Sequence, residues 1–290
     1  MKPAPFAYHA PATKAEALDM LAALDDARVL AGGQSLLPMM NLRLAGPTNL
    51  IDLNGVPELA GMSRTGDALV IGTMTRQRAA ERSMLVREAC PLLAEAMAHV
   101  GFQQTRNRGT VGGSIAHMDP TAEIPVVARA LDAVLTVESA AGTRRFPIGE
   151  LAEGYLMTQI APDEMLTQAE LALWPQGHGF AFEEVTRRGE SFCVVCVAAL
   201  ALLDADGAFA RLAVAIGGLA EAPVRLDRIE ADLVGARADG EAFRAAGAAA
   251  GALDADEAPF APPAYKRHLA RVLTERALAR AAERARGAMS

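Results

Sequence analysis

Aromatic residues make up only 4% of this 290-residue chain, with a single tryptophan, and its 28 Lys and Arg are outnumbered by 35 Asp and Glu. A net charge of −7 leaves no broad basic surface for a polyanion, and so few aromatics leave little on which bases could stack. Both argue against nucleic-acid binding and require any anionic ligand to be held locally. Cysteine is scarce as well. Cys90, Cys193 and Cys196 cannot build a disulfide framework or supply the four thiolates of an iron–sulfur cluster. The opening Met1-Lys2-Pro3-Ala4-Pro5-Phe6 lacks the apolar region of a secretory signal, and no apolar run is long enough to cross a bilayer. These absences predict a cytoplasmic protein with no membrane span.

Glycine is concentrated in two places: Ala31-Gly32-Gly33-Gln34-Ser35-Leu36 and, within Thr105 to Pro120, Thr110-Val111-Gly112-Gly113-Ser114. Paired glycines beside small hydroxyl residues let backbone N–H groups crowd around an anion, because no Cβ blocks the approach or forbids positive φ. Neither stretch fits G-x-G-x-x-G or ends in the Gly-Lys-Ser/Thr of a P-loop, so those two phosphate-binding signatures are missing. Alone, either reads as a tight turn after a strand. Two such loops, far apart in sequence, predict a clamp on a diphosphate, for which a dinucleotide is the natural ligand. Cys193-Val194-Val195-Cys196 has the spacing of a redox or zinc pair, but it sits in an apolar, β-branched run that reads as a buried strand. Strict alternation puts residues three apart on opposite faces, so these are expected to be structural cysteines with no metal.

With 51% hydrophobic residues the chain can bury a sizeable core divided into two or three modules. Thr13-Lys14-Ala15-Glu16 has capping-box spacing ahead of a helix carrying Leu18, Leu21 and Leu24. Strands are predicted at Arg28 to Ala31, Asn49 to Leu53 and Leu69 to Gly72, with helices at Leu37 to Leu44, Arg76 to Arg82, Pro91 to His99 and Thr121 to Leu131. Further strands at Ala133 to Glu138, Thr143 to Phe146 and Met165 to Leu173 lack regular βαβ spacing, which makes the fold α+β. Turn residues from Trp174 to Gly179 mark a domain boundary. Beyond it, Phe180 to Arg187, Phe192 to Leu203 and Phe209 to Ile216 form an antiparallel meander joined by Arg188-Gly189-Glu190 and Asp204-Ala205-Asp206-Gly207. Helices follow at Arg225 to Val234, Glu241 to Ala250 and Pro263 to Arg286. The last carries Lys266, Arg267, Arg271, Arg276, Arg280, Arg284 and Arg286, either as a basic face for an acidic subunit or as a solvated helix with cations near its C-terminus.

Ala31 to Pro38, Ile51-Asp52, Arg106 to Ser114 and Ala116-His117-Met118-Asp119-Pro120 together resemble the FAD-binding medium subunit of molybdenum hydroxylases. That group includes the flavin subunits of carbon monoxide dehydrogenase and of bacterial N-heterocycle and aromatic hydroxylases, and the flavin domain of xanthine dehydrogenase. The resemblance covers nearly the whole chain and is loosest in the C-terminal third. It implies a two-part PCMH-type FAD-binding domain over residues 1–176, with subdomains of about 1–55 and 56–176. A smaller domain with a three-stranded antiparallel sheet and helices would occupy 177–290.

By the same resemblance, FAD is held at its diphosphate and neighbouring ribityl oxygens by Ala31, Gly32, Gly33, Gln34, Ser35 and Leu36 and by Thr110, Gly112, Gly113 and Ser114. Glu123 bonds flavin-chain hydroxyls, Leu166 packs near the flavin ring and His117 lies beside the cofactor. No catalytic residue and no metal ligand is expected in this chain. Arg106 and Arg108 either neutralise phosphate or fix the loop by bonding carbonyls, the second role being expected. Some relatives carry a lysine near the flavin where this chain reads Phe182-Glu183-Glu184-Val185, and a missing cation would leave a reduced, anionic flavin less stabilised.

The implied partners are a molybdenum-binding large subunit and a small subunit with [2Fe–2S] clusters, assembled as a dimer of heterotrimers. The molybdenum cofactor and the clusters belong to those subunits, and electrons would leave through FAD to an external acceptor. A free-standing FAD-dependent oxidase and a nucleotide-binding assembly subunit without redox work are the two alternatives.

Overall fold

A computed structural model describes residues 1–189, 191–258 and 260–289; Glu190, in the turn expected between the first two meander strands, lies outside them. The chain opens with a parallel three-stranded sheet ordered Ala7–His9, Asn49–Asp52, Ala27–Leu30. The cap forms with its return bond displaced by one residue: Thr13 Oγ1 accepts from the Glu16 N–H at 3.2 Å, and Glu16 accepts from the N–H of Ala12, just before the N-cap, at 2.7 Å. Helix Lys14–Ala23 thereby starts at the expected place and buries Ala17, Leu18 and Leu21 with Ile51 and Leu53. Because Leu30 pairs with Asp52 in parallel register, the chain leaves both strands at the same end of the sheet. Ala31 and Asn54 are neighbours for that reason.

An antiparallel five-stranded sheet follows, ordered Met62–Thr65, Ala68–Gly72, Met165–Ala172, Val134–Ser139, Gly142–Pro147. Helices Pro91–Met97, Val111–His117 and Glu123–Ala130 cover it and share one core with its Leu69, Ile71, Leu135 and Val137. The other side of that core is the C-terminal sheet, Gly179–Thr186, Cys193–Leu203, Phe209–Gly217, Val224–Arg225, through Phe182, Cys196, Ala198 and Ala215. Its opposite face, with Val195, Val197, Val214 and Ile216, packs on helices Gly240–Gly251 and Pro263–Met289. A sheet buried on both faces needs apolar residues at nearly every position, so Cys193–Leu203 reads as a continuous apolar run. Among the described residues no helix is long and apolar enough to cross a membrane.

Several expectations change. The meander has a fourth strand, Val224–Arg225, paired with Ala215–Ile216 and too short to be legible. Strand Met62–Thr65 and helices Met84–Ala89 and Gln103–Arg108 are not anticipated either, each being four to six residues long and the strand and second helix being mostly polar. Cys193 and Cys196 do not face apart. The pairing slips between Val185 and Thr186, which meet Val195 and Cys193, and the bulge at Val194 resets the alternation. Both thiols therefore enter the core shared with the five-stranded sheet, while Val195 enters the other. They remain free and buried. Hydrogen bonding to Cys196 and burial push the Cys193 thiol well above its ordinary range, and burial pushes Cys90 up to about 12. Among the described residues no group of three or more His, Cys, Asp and Glu is placed to hold a metal.

The final helix uses its arginines internally. Arg284 donates to Glu95 Oε2 at 2.7 Å and to the Phe180 carbonyl at 2.6 Å. Arg280 donates to the Phe182 carbonyl at 2.7 Å, pairs with Glu183 at 2.6 Å and also meets Glu95 Oε1. Glu95, on helix Pro91–Met97, accepts the Phe182 N–H at 2.8 Å. The exposed edge of strand Gly179–Thr186 is thus capped by side chains, which blocks edge-to-edge pairing. At Gly179 a Cβ would overlap the Ala281 carbonyl, so glycine admits the helix. Of the two readings of this helix, neither describes Arg280 and Arg284; Arg276 stays exposed.

Glu95→Ala removes one acceptor from each of two guanidinium groups, which keep their carbonyl partners, and leaves the Phe182 N–H without its partner. Urea denaturation should show a loss of about 1–3 kcal/mol in unfolding free energy. A loss below about 0.5 kcal/mol would show that the latch does not hold helix and sheet together.

Candidate functional site

The first glycine loop leaves strand Ala27–Leu30 and turns into helix Leu36–Asn41. Its two glycines serve different ends. Gly33 has φ +73, in the left-handed region. Gly32 lies under the second motif, where a Cβ would overlap the Arg108 carbonyl. The Gly33 and Ser35 carbonyls accept from Leu37 and Met39 at 3.3 and 3.1 Å, but among the described residues no protein acceptor meets the N–H groups of Gly32, Gly33, Gln34, Ser35 or Leu36. Consecutive free donors on a turn that runs into a helix form a concave nest for an anion.

The second motif is not a loop. Val111–His117 is helical with Thr110 as N-cap, its Oγ1 accepting from the Gly113 N–H at 3.0 Å. Val111 N–H donates to the Thr75 carbonyl at 2.9 Å, Gly112 to Thr73 at 3.0 Å and Ser114 to Thr110 at 3.2 Å. The donors expected to face an anion here are used inside the protein, and neither glycine has positive φ. These glycines remove bulk instead: a Cβ on Gly112 would overlap Thr73, and one on Gly113 would sit 2.7 Å from Thr110 Oγ1 and 3.4 Å from the Ala31 Cβ. Gly113, Ser114 and His117 are partly exposed and share one helical face, beside Ala31. The two motifs therefore meet, one offering donors and the other a close, small-residue wall. Thr73 and Thr75, which anchor that wall, escaped the sequence reading; polar residues directly after a strand were the available signal.

Arg106 is structural, as expected: it is buried and donates to Glu81 at 2.9 Å and to the Val100 and Gly101 carbonyls at 2.9 and 2.7 Å. Arg108 is exposed at the rim. Burial raises the Asp52 carboxyl, but hydrogen bonds from Tyr8 and Asn54 outweigh it and hold it below the ordinary range.

Glu123 begins helix Glu123–Ala130 and is buried. Burial, assisted by the charges of Glu184 and Asp119 and opposed by its own backbone N–H and by His99, pushes its carboxyl up to about 8. The segment joining it to the second motif is pinned by the C-terminal sheet, since the Pro120 carbonyl accepts Gly218 N–H at 2.7 Å and the Thr121 carbonyl accepts the Cys193 thiol at 3.2 Å. Glu184 pairs with His99 at 3.0 Å, which raises the imidazole pKa, and Glu183 pairs with Arg280. Glu183 and Glu184 thus each face a basic side chain, Arg280 and His99. Leu166 is buried in the main core on strand Met165–Ala172, against which helix Val111–His117 packs.

The family described as FAD binding domain in molybdopterin dehydrogenase matches residues 4–174, and CO dehydrogenase flavoprotein C-terminal domain matches 180–281. The chain is 36% identical to the 6-hydroxypseudooxynicotine dehydrogenase complex subunit alpha of Paenarthrobacter nicotinovorans, over 99% of this chain and 97% of that one. It is 36% identical to the carbon monoxide dehydrogenase medium chain of Hydrogenophaga pseudoflava, over 86% and 87%. A solved carbon monoxide dehydrogenase from Hydrogenophaga pseudoflava, lacking the Mo-pyranopterin moiety of the molybdenum cofactor, superposes with a TM-score of 0.95 at 36% identity, over 98% of this chain and 99% of that one.

Glu123 generates a pH dependence of stability. Between the ordinary value of 4.5 and about 8 the folded, FAD-free chain keeps a proton that the unfolded chain has released, so stability falls as pH rises through that window. Glu123→Gln removes this fall. Urea denaturation at about pH 5 and about pH 8.5 should show the wild type losing more stability than the variant between the two. Equal losses would contradict a protonated, buried Glu123.

Proposed function

The chain belongs to the FAD-binding medium subunits of the molybdenum hydroxylases, which are subunits of oxidoreductase complexes, and we propose that it takes electrons from the [2Fe–2S] clusters of a small partner subunit and passes them to an external acceptor. The observation that carries the reading is the five free amides of Gly32 to Leu36 set against the Gly113 and Ser114 face. Such a donor set suits a diphosphate: its oriented N–H dipoles hold the anion locally in a protein whose net charge is −7.

In this reading the Gly32 to Leu36 amides bind diphosphate oxygens, with Ala31 closing the side of the cleft. Thr110 Oγ1 accepts from Gly113 and keeps its own proton to donate, and Ser114 and His117 line the adjoining wall. Glu123, held protonated near neutral pH, both donates to and accepts from the hydroxyls of the flavin chain, and Leu166 backs the ring from the core. When bound, FAD supplies the exchange between one-electron and two-electron transfer that a junction between cluster and acceptor needs. No side chain of this subunit handles the organic substrate. A molybdenum-binding large subunit would oxidise it, the whole forming a dimer of heterotrimers in the cytoplasm. Residues 1–176 make up the FAD-binding domain in this proposal and 177–290 the C-terminal domain, whose sheet braces the Pro120–Thr121 segment. The names of the relatives, a dehydrogenase complex subunit and a medium chain, support a partnered rather than a solitary role.

Gly33→Asp puts a side chain and a negative charge at a positive-φ glycine inside the donor nest, and should leave a folded chain, by circular dichroism, without flavin absorbance. Anaerobic stopped-flow of the wild type should show no flavin bleaching by hydroxylase substrates until the partner subunits are added. Normal flavin content in the variant would overturn the diphosphate assignment. Bleaching of the isolated, metal-free chain by an organic substrate would make it an oxidase.

A further inference from the structure

One side-chain network holds the carbonyls that precede both glycine motifs. Asn54 Nδ2 donates to the Ala31 carbonyl at 3.0 Å. Arg76 donates through Nη2 to Asn54 Oδ1 and through Nη1 to the Arg108 carbonyl. Behind them Asp52 Oδ1 accepts from the Asn54 backbone N–H at 2.9 Å and from Asn54 Nδ2, and the Tyr8 hydroxyl donates to Asp52 Oδ2 at 2.6 Å. The relay crosses from the parallel sheet, where Asp52 ends its strand, to the segment after strand Ala68–Gly72 that carries Arg76.

Peptide planarity gives the relay a consequence. In a trans peptide the C=O and the following N–H point in opposite directions. Fixing the Ala31 carbonyl on Asn54 therefore aims the Gly32 N–H away from Asn54. Gln34 Nε2, donating to the Gly32 carbonyl at 3.3 Å, does the same for the Gly33 N–H. Meanwhile Arg76 holds the Arg108 carbonyl, the group against which Gly32 packs, and so sets the spacing of the two motifs. Arg76 is suited to this because a guanidinium is a planar fork that can serve two acceptors at once.

Resting on the reading that this loop holds the FAD diphosphate, we infer that Asn54 and Arg76 are positioning residues for that diphosphate. They act through the Ala31 and Arg108 carbonyls, and they make affinity depend on side chains outside both glycine motifs. Asn54→Ala removes the donor to Ala31. Arg76→Lys keeps the charge but loses the fork, so it separates geometry from electrostatic attraction.

The test uses the full chain freed of flavin. Affinity for FAD is read by fluorescence quenching and affinity for ADP, which keeps the diphosphate and lacks the flavin, by calorimetry. Each variant should bind both roughly tenfold more weakly than the wild type, while the melting temperature of the flavin-free chain stays within about 2 °C. Affinity within about twofold of wild type in both variants overturns the inference, as does a loss for FAD that ADP does not share. Gly33→Asp run alongside tells the two failures apart: if it binds FAD normally, the diphosphate reading falls and this one with it; if it does not while Asn54→Ala and Arg76→Lys bind normally, only the positioning role falls.

Discussion

The candidate site depends on one close approach, that of Gly32 to the Arg108–Gly109 backbone, where any side chain would collide. It brings a loop from the parallel sheet against a helix start from the antiparallel module, and it places Ala31 beside Gly113. The division of labour follows. The first motif keeps its amides free because its chain turns away from every neighbouring acceptor. The second spends its amides on Thr73, Thr75 and Thr110, which makes it rigid. A flexible clamp on both sides would have to be ordered by the ligand at the expense of affinity; a fixed wall reduces that cost.

The C-terminal sheet belongs to the same logic. Its Gly218 amide and Cys193 thiol hold the Pro120 and Thr121 carbonyls, and these residues lead into Glu123. Glu95 with Arg280 and Arg284 ties the edge strand of that sheet to both the flavin-module helices and the final helix. Burial of the sheet on both faces makes the arrangement one continuous packed body, so the position of Glu123 is set by residues far along the chain.

Much of this was legible because it is local. The Thr13–Glu16 box, the apolar run at Cys193–Leu203 and the glycine pairs are each written in a few adjacent residues, and the family resemblance rests on the same short motifs. What was not legible depends on contacts across the fold. The glycines at 112 and 113 look like anion-binding turn residues until Thr73 is known to press against them. Cys193 and Cys196 change faces because a bulge, invisible in an apolar run, inserts Val194. Arg280 and Arg284 resemble a solvated basic stripe until the strand edge beneath them is seen. Asn54 and Arg76 carry no motif at all, and only the parallel register of Leu30 with Asp52 makes Asn54 a neighbour of Ala31.

The central claim is that the backbone of Gly32 to Leu36, rather than the second glycine pair, supplies the donors for a diphosphate. A crystal structure of the FAD-loaded chain tests it most directly. The account predicts diphosphate oxygens about 2.7–3.2 Å from at least two of those five amides, with Gly112 and Gly113 still bonded to Thr73 and Thr110. A diphosphate seated on freed Gly112 and Gly113 amides, with the Gly32 to Leu36 donors turned to solvent, would contradict it.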